Sequence, residues 1–159
     1  MKKIPLSKGQ FAIVDDEDYE KLVQWKWHQS VSGYAIRNDS IINGIQPKVY
    51  MHRLILNVPN GFQGDHINRN KLDNRRKNLR ICTPSQNQMN SKKRIDNASG
   101  LKGVTWKKRD NRWAAYIRVN KKLIHLGYFK DKNEAIWVRD QAALKYHSSF
   151  AFLNKELGE

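Results

Sequence analysis

An aspartate and a histidine stand side by side at Asp65-His66, and amide side chains follow at Asn78 and Asn87, all set among arginines. Cutting a phosphodiester needs an activated water, charge neutralisation on the phosphate and help for the departing 3′ oxygen. A neutral imidazole is a suitable base at about pH 7. A single hard cation with oxygen ligands can serve the other two tasks. Asp65 offers a carboxylate oxygen beside the imidazole, and Asn87 offers an amide oxygen 22 residues later. Asn78 lies between them, where it can fix either the imidazole or the intervening loop. His52 is expected to pack or hydrogen-bond, and Cys82 to be a small core residue.

Residues 62–67 read as a brief strand, 68–77 as a loop rich in Asn, Asp and Arg, and 78–82 as a second strand. Thr83 can cap a helix with Pro84 at its first position, running to about Ser91. The order is strand, loop, strand, helix. Upstream, residues 4–14 read as a strand pair turning at Lys8-Gly9, and 15–27 as a helix with acids crowding its first turn. Residues 33–37 and 46–55 read as strands joined around Asn43-Gly44, a strong hairpin signal.

The chain has 159 residues and 30 Lys and Arg against 15 Asp and Glu, a net charge of +15. A polyanion is therefore the leading partner, with nucleic acid ahead of an acidic membrane. No run of about 18 apolar residues exists, so no membrane span is expected. The start, MKKIPLSKGQ, lacks the apolar stretch of a signal peptide. Cys82 is the only cysteine, which excludes an intrachain disulfide and a cysteine-rich zinc site within one chain. A cytoplasmic location follows as an expectation.

Residues 91–100, SKKRIDNASG, read as a linker between a domain over 1–90 and another over 101–159. Basic residues outnumber acids on both sides, 14 to 8 before residue 91 and 16 to 7 from there on. Both halves are thus expected to meet the polyanion. Beyond the linker, 102–108, 112–119 and 123–129 read as three strands, and a helix opens at Asp131 or Asn133. In the middle strand Trp113, Ala115, Ile117 and Val119 alternate with Arg112, Ala114, Tyr116 and Arg118, giving one apolar and one polar face. The fold class expected is α+β.

Asp65-His66-Ile67, then Asn78-Leu79 twelve residues after the histidine, then Asn87 nine residues later, resembles the HNH nuclease motif. The lead-in FAIVDDEDYE, GYAIR and VYMHRLIL is similar to the front of phage homing-type members, which also carry Asn at the third motif position. The resemblance implies a ββα-metal domain. In it His66 is the general base, Asn78 orients that base, and Asp65 and Asn87 hold Mg²⁺ or Mn²⁺. No zinc is expected, because the CxxC pairs of many relatives are missing. Arg69, Arg75, Arg76 and Arg80 are the phosphate contacts expected around the motif.

Residues 103–154 resemble the AP2/ERF DNA-binding domain. The resemblance rests on Gly103-Val104, Trp113 to Ile117, Leu126-Gly127-Tyr128-Phe129, Glu134-Ala135, Asp140-Gln141-Ala142-Ala143 and Asn154. It implies a three-stranded antiparallel sheet packed on one helix and laid into the major groove of double-stranded DNA. Trp106, Lys108, Arg109, Arg112, Arg118 and Lys122 are the contacts expected there. The function expected is a metal-dependent DNA endonuclease, nicking or cutting both strands, acting as a monomer or homodimer. The alternative is a non-catalytic, sequence-specific DNA-binding regulator.

Overall fold

A computed structural model of the chain describes residues 1–91, 97 and 99–154. Most of the expected linker lies outside the described residues. The chain forms two compact units, Met1–Asn87 and Gln88–Glu159.

In the first unit β1 (Lys2–Pro5) and β2 (Phe11–Val14) pair antiparallel across a tight turn in which Lys8 and Gly9 both take positive φ, so the expected strand pair forms. The helix α1 (Asp16–Leu22) is shorter than the periodicity predicts. The chain leaves the helix after Leu22, and the Trp27 indole folds back to donate to the Leu22 carbonyl at 2.7 Å. That bond satisfies a carbonyl the helix end would leave open. It also buries Trp27, whose backbone bridges to Leu6, while Trp25 stays exposed under the Arg37 guanidinium.

The strands β3 (His28–Gln29), β4 (Ala35–Asn38) and β5 (Lys48–Tyr50) make a three-stranded antiparallel sheet. The single strand expected over 46–55 is corrected here. It stops at Tyr50, and Met51–Leu56 is a helix, α2. Met51, His52 and Ile55 are its buried positions, a helical spacing that a short apolar run hides among strand-like alternations. Asn57 ends α2 in the left-handed conformation and donates to the Arg53 and Leu54 carbonyls.

Next come β6 (Gln63–His66), β7 (Leu79–Cys82) and α3 (Pro84–Asn90), the strand, loop, strand, helix order expected. β6 and β7 pair antiparallel, with Asp65 opposite Arg80 and His66 opposite Leu79. Thr83 and Gln86 cap α3 reciprocally: the Gln86 N–H donates to the threonine hydroxyl and the Thr83 N–H to the Gln86 carbonyl oxygen. The core of this unit joins Ile4, Leu6, Ala12, Val14, Leu22, Trp27, Ala35, Met51, Ile55 and Leu79, so β1, β2, α1, β4, β5, α2 and β7 feed it or pack on it. Cys82 is buried, as a core residue should be.

In the second unit β8 (Val104–Lys107), β9 (Arg112–Val119) and β10 (Lys122–Phe129) form an antiparallel sheet with β9 central. The helix α4 (Lys132–His147) is capped by the Asp131 carboxylate, which accepts from Glu134 N–H at 2.8 Å. Ala115, Val104, Ala135 and Ile136 form one buried cluster between sheet and helix, and Ile117, Ala142 and Ala143 another. The alanines let the helix sit close. His147 is the last buried residue of the helix.

Gly103 has φ +75°, and a Cβ there would lie 2.4 Å from the Tyr116 carbonyl oxygen, whose strand donates back through Tyr116 N–H to the Gly103 carbonyl at 2.7 Å. Gly103→Ala is therefore expected to destabilise the second unit by about 2 kcal/mol or more, read as a lowered midpoint in urea. An unchanged midpoint would show that the turn can relax.

Candidate functional site

Strand alternation divides β6 into two faces. Gln63 and Asp65 share one face, and Gly64 and His66 share the other. On the first face Arg80 is opposite Asp65 in register and forms an ion pair with it, with Nε at 2.8 Å and Nη2 at 2.7 Å from Oδ2. Gln63 holds the head of α3: Asn87 Nδ2 donates to Gln63 Oε1 at 2.7 Å. With its nitrogen turned to Gln63, the Asn87 amide has its oxygen on the opposite side. Asp65 and Asn87 thus belong to one end of the ββα unit, linked through a strand neighbour.

On the second face the His66 ring packs in a cluster of rings. It lies 4.9 Å from His52 and 5.9 Å from Tyr34 between centroids, and Tyr34 is 5.7 Å from Tyr50. A bare Gly64 makes this possible, because a Cβ there would lie 2.5 Å from His52 Cδ2. His66 Nε2 is 3.3 Å from Asn74 Oδ1. Burial lowers the His66 imidazole below the ordinary histidine value, opposed by the Asn74 bond and by the charges of Asp65 and Asp73.

Residues between β6 and β7 form a hydrogen-bonded knot. Asn78 Oδ1 accepts from Asn68 N–H at 2.9 Å, and Asn78 Nδ2 donates to the Asp73 carbonyl at 2.7 Å. Asn68 Nδ2 donates to Asp73 Oδ2 at 2.9 Å. Asn78 therefore fixes the loop, while Asn74 bonds the imidazole. Ile13 N–H donates to the Leu72 carbonyl and Asn74 N–H to the Ile13 carbonyl, tying the loop to β2.

Three of the four arginines expected as phosphate contacts, Arg75, Arg76 and Arg80, have acidic partners within the fold. Arg75 grips the Asp73 carboxylate through Nε and Nη2 at 2.7 and 2.6 Å. Arg76 pairs with buried Asp18 and with Glu17. Arg80 faces Asp65. These guanidinium groups neutralise acids that the fold brings beneath them, which the one-dimensional charge count hides. Arg69 occupies a positive φ of 64° in the loop. Asn90 is buried at the end of α3.

In the second unit the expected contacts do not share one face. Arg112 and Arg118 point outward with Lys107, Tyr116, His125 and Tyr128, and the rings of Tyr116, His125 and Tyr128 form a continuous line, 4.9 and 4.5 Å apart. Trp106 is opposite Trp113 and Lys122 opposite Val119, so register places both on the helix-facing side. Trp106 is half-exposed at the sheet edge, against Trp113. Lys108 and Arg109 occupy the exposed turn between β8 and β9.

Two residues of this site went unnoticed in the sequence. Gln63 was readable from strand alternation, being two positions before Asp65. Asn74 had no such signal, since loop geometry alone brings it to the imidazole. Asp65 and Asn87 offer oxygens, the donors hard divalent cations take. Among the described residues no three His, Cys, Asp or Glu side chains cluster as a metal site. One carboxylate and one amide suit an ion that keeps several waters and takes phosphate oxygens from its substrate, as Mg²⁺ does.

The buried ring cluster generates a pH dependence. The His52 imidazole is pushed down to about 3, chiefly by burial and then by its His66 and Arg53 neighbours. It is neutral in the folded chain and binds a proton in the unfolded chain below about pH 6.5. Stability is therefore complete above that pH and falls as pH drops toward 3, by up to about 1.4 kcal/mol per unit for this one group. His66 acts in the same direction. Urea unfolding between about pH 7.5 and 5 should show this acid limb, and His52→Phe should make it shallower. An identical slope in that variant would show that His52 is not the group involved.

Residues 49–89 match a family model described as HNH endonuclease, a span running from β5 through α2, β6 and β7 into α3. The chain is 28% identical over 150 residues, 93% of its length, to an uncharacterized HNH endonuclease of Acanthamoeba polyphaga mimivirus, and covers 76% of that protein. Over 60 residues, 38% of the chain, it is 38% identical to Protein 3.8 of Escherichia phage T7, and covers 50% of that protein. Among the described residues no helix is long and apolar enough to cross a membrane. HNH nucleases act on DNA and generally use a divalent metal ion, and with that match over residues 49–89 the chain is a nuclease enzyme.

Proposed function

We propose that the chain is a metal-dependent DNA endonuclease of the phage homing type, with His66 as general base and Asp65 and Asn87 as the protein ligands of one divalent ion. The observation that carries this is the joining of the three residues by one strand and one side-chain hydrogen bond: Asp65 and His66 are consecutive on β6, and Asn87 of α3 is tied to β6 through Gln63. A divalent cation, when bound, would supply positive charge to the scissile phosphate and to the leaving oxygen. His66 takes a proton from water. The water oxygen bonds to phosphorus, the bond from phosphorus to the 3′ oxygen breaks, and that oxygen takes a proton from solvent. The ends are a 5′ phosphate and a 3′ hydroxyl. Burial favours the neutral ring needed for this role. Asn at the third motif position supports the homing-type assignment, and DNA as substrate supports a host-cytoplasm location.

In this reading the domain borders fall near residues 90 and 101, and the second unit is an AP2-like DNA-binding module. Its support is an outward sheet face on which Arg112, Arg118 and Lys107 flank the rings of Tyr116, His125 and Tyr128. Such a face joins phosphate charge to flat surfaces that pack on bases.

His66→Ala is expected to abolish nicking and linearisation of plasmid in Mg²⁺ while leaving duplex affinity within about twofold. EDTA should stop the wild-type enzyme. Full cleavage in either case would refute the mechanism. Arg118→Ala should weaken duplex binding and lower the slope of log affinity against log salt by about one. An unchanged slope would remove Arg118 from the phosphate contacts.

A further inference from the structure

We infer that Asn74 is a positioning residue for the nuclease reaction: its Oδ1 holds His66 Nε2–H, so the neutral imidazole presents its lone pair at Nδ1. The inference rests on the reading of His66 as the base. An amide oxygen only accepts hydrogen bonds, so the nitrogen facing it must carry the proton, and a neutral ring carries one. The contact is 3.3 Å. Asn74 is wholly buried, at 0% exposure, so the Nε2 that meets it faces the protein interior.

Asn74 is itself held from the backbone. Its N–H donates to the Ile13 carbonyl at 2.7 Å, Asp73 before it bridges to Ile13, and the Asp73 carboxylate is gripped by Arg75. The ring packs against His52 and Tyr34. Asn74 Nδ2 is buried with no partner among the described residues. Leaving such a donor unpaired costs about 1–3 kcal/mol, so the side chain is poorly explained by stability alone. Its oxygen does a job that needs no rearrangement: Nε2–H stays bonded to Oδ1 before and after Nδ1 gains a proton. A group preset in this way lowers a barrier because nothing has to reorient during the reaction.

The test is the tautomer of His66 in the full chain carrying ¹⁵N-labelled histidine, read from long-range proton–nitrogen correlations at about pH 7.5, where the ring is neutral. A single Nε2–H form is expected in the wild-type protein, and a proton on Nδ1 overturns the inference without any variant being made. In Asn74→Ala the second tautomer should appear, with kcat reduced by roughly 10- to 100-fold and KM for duplex DNA within about twofold, the size of loss typical when a partner orienting a functional imidazole is removed. Asn74→Asp keeps an oxygen acceptor and should restore the single tautomer and most of kcat. A pure Nε2–H form in Asn74→Ala, or a loss confined to KM, would assign the positioning elsewhere. Failure of the base reading shows separately, as cleavage surviving in His66→Ala, because the tautomer reports on Asn74 whether or not DNA is cut.

Discussion

Asp73 and Asn78 are buried polar side chains in the connection between β6 and β7, and the packing of that connection depends on satisfying them. Burying such groups without partners costs several kcal/mol in total. The loop meets this demand internally: Asn78 bonds to Asn68 and Asp73, and Asp73 bonds to Asn68 and Arg75. Two further backbone bonds tie it to Ile13 on β2. The hairpin of β1 and β2 is therefore part of the nuclease scaffold, since it fixes the loop that presents Asn74. A site without cysteines to clamp it is held by amides and by a strand edge.

The same demand redirects the positive charge. Arg75, Arg76 and Arg80 stand in a run that reads as a phosphate-binding loop, yet their partners are Asp73, Asp18 with Glu17, and Asp65. The acids of α1 are far away in sequence and close in the fold. Part of the basic character of the first unit is thus neutralised from within, and the net charge overstates what that unit can offer to a polyanion. In the second unit Arg112 and Arg118 have no such acids opposite them in register, where Lys107 and Leu123 stand instead.

What was legible in the sequence follows from the range of the interactions involved. The order of β6, loop, β7 and α3 was readable, because turn chemistry, the Thr83-Pro84 start and strand alternation are local. The three strands and the helix of the second unit were readable for the same reason, and the alternation of Trp113, Ala115 and Ile117 marked the face that packs on α4. The helix at Met51–Leu56 was not, since a six-residue apolar run satisfies both periods and only packing on β4, β5, β6 and β7 selects one. The end of α1 was set by a tryptophan returning to cap it. The arginine partners and Asn74 were hidden because each depends on contacts across the fold, and no spacing rule links Arg76 to Asp18.

Adjacency in the strand explains why a carboxylate and an imidazole can be neighbours here without forming a simple pair. Alternation sends Asp65 to the side of Arg80 and α3, and His66 to the side of Leu79, α2 and the aromatic cluster. The carboxylate meets a guanidinium; the imidazole meets rings and one amide oxygen. Burial among rings favours a neutral imidazole, and the nearby carboxylates oppose it only partly. A single strand thus gives two consecutive residues opposite electrostatic surroundings, one suited to holding charge and one to gaining a proton. Gly64 is what permits the second, because a side chain there would displace His52 and open the packed side of the His66 imidazole.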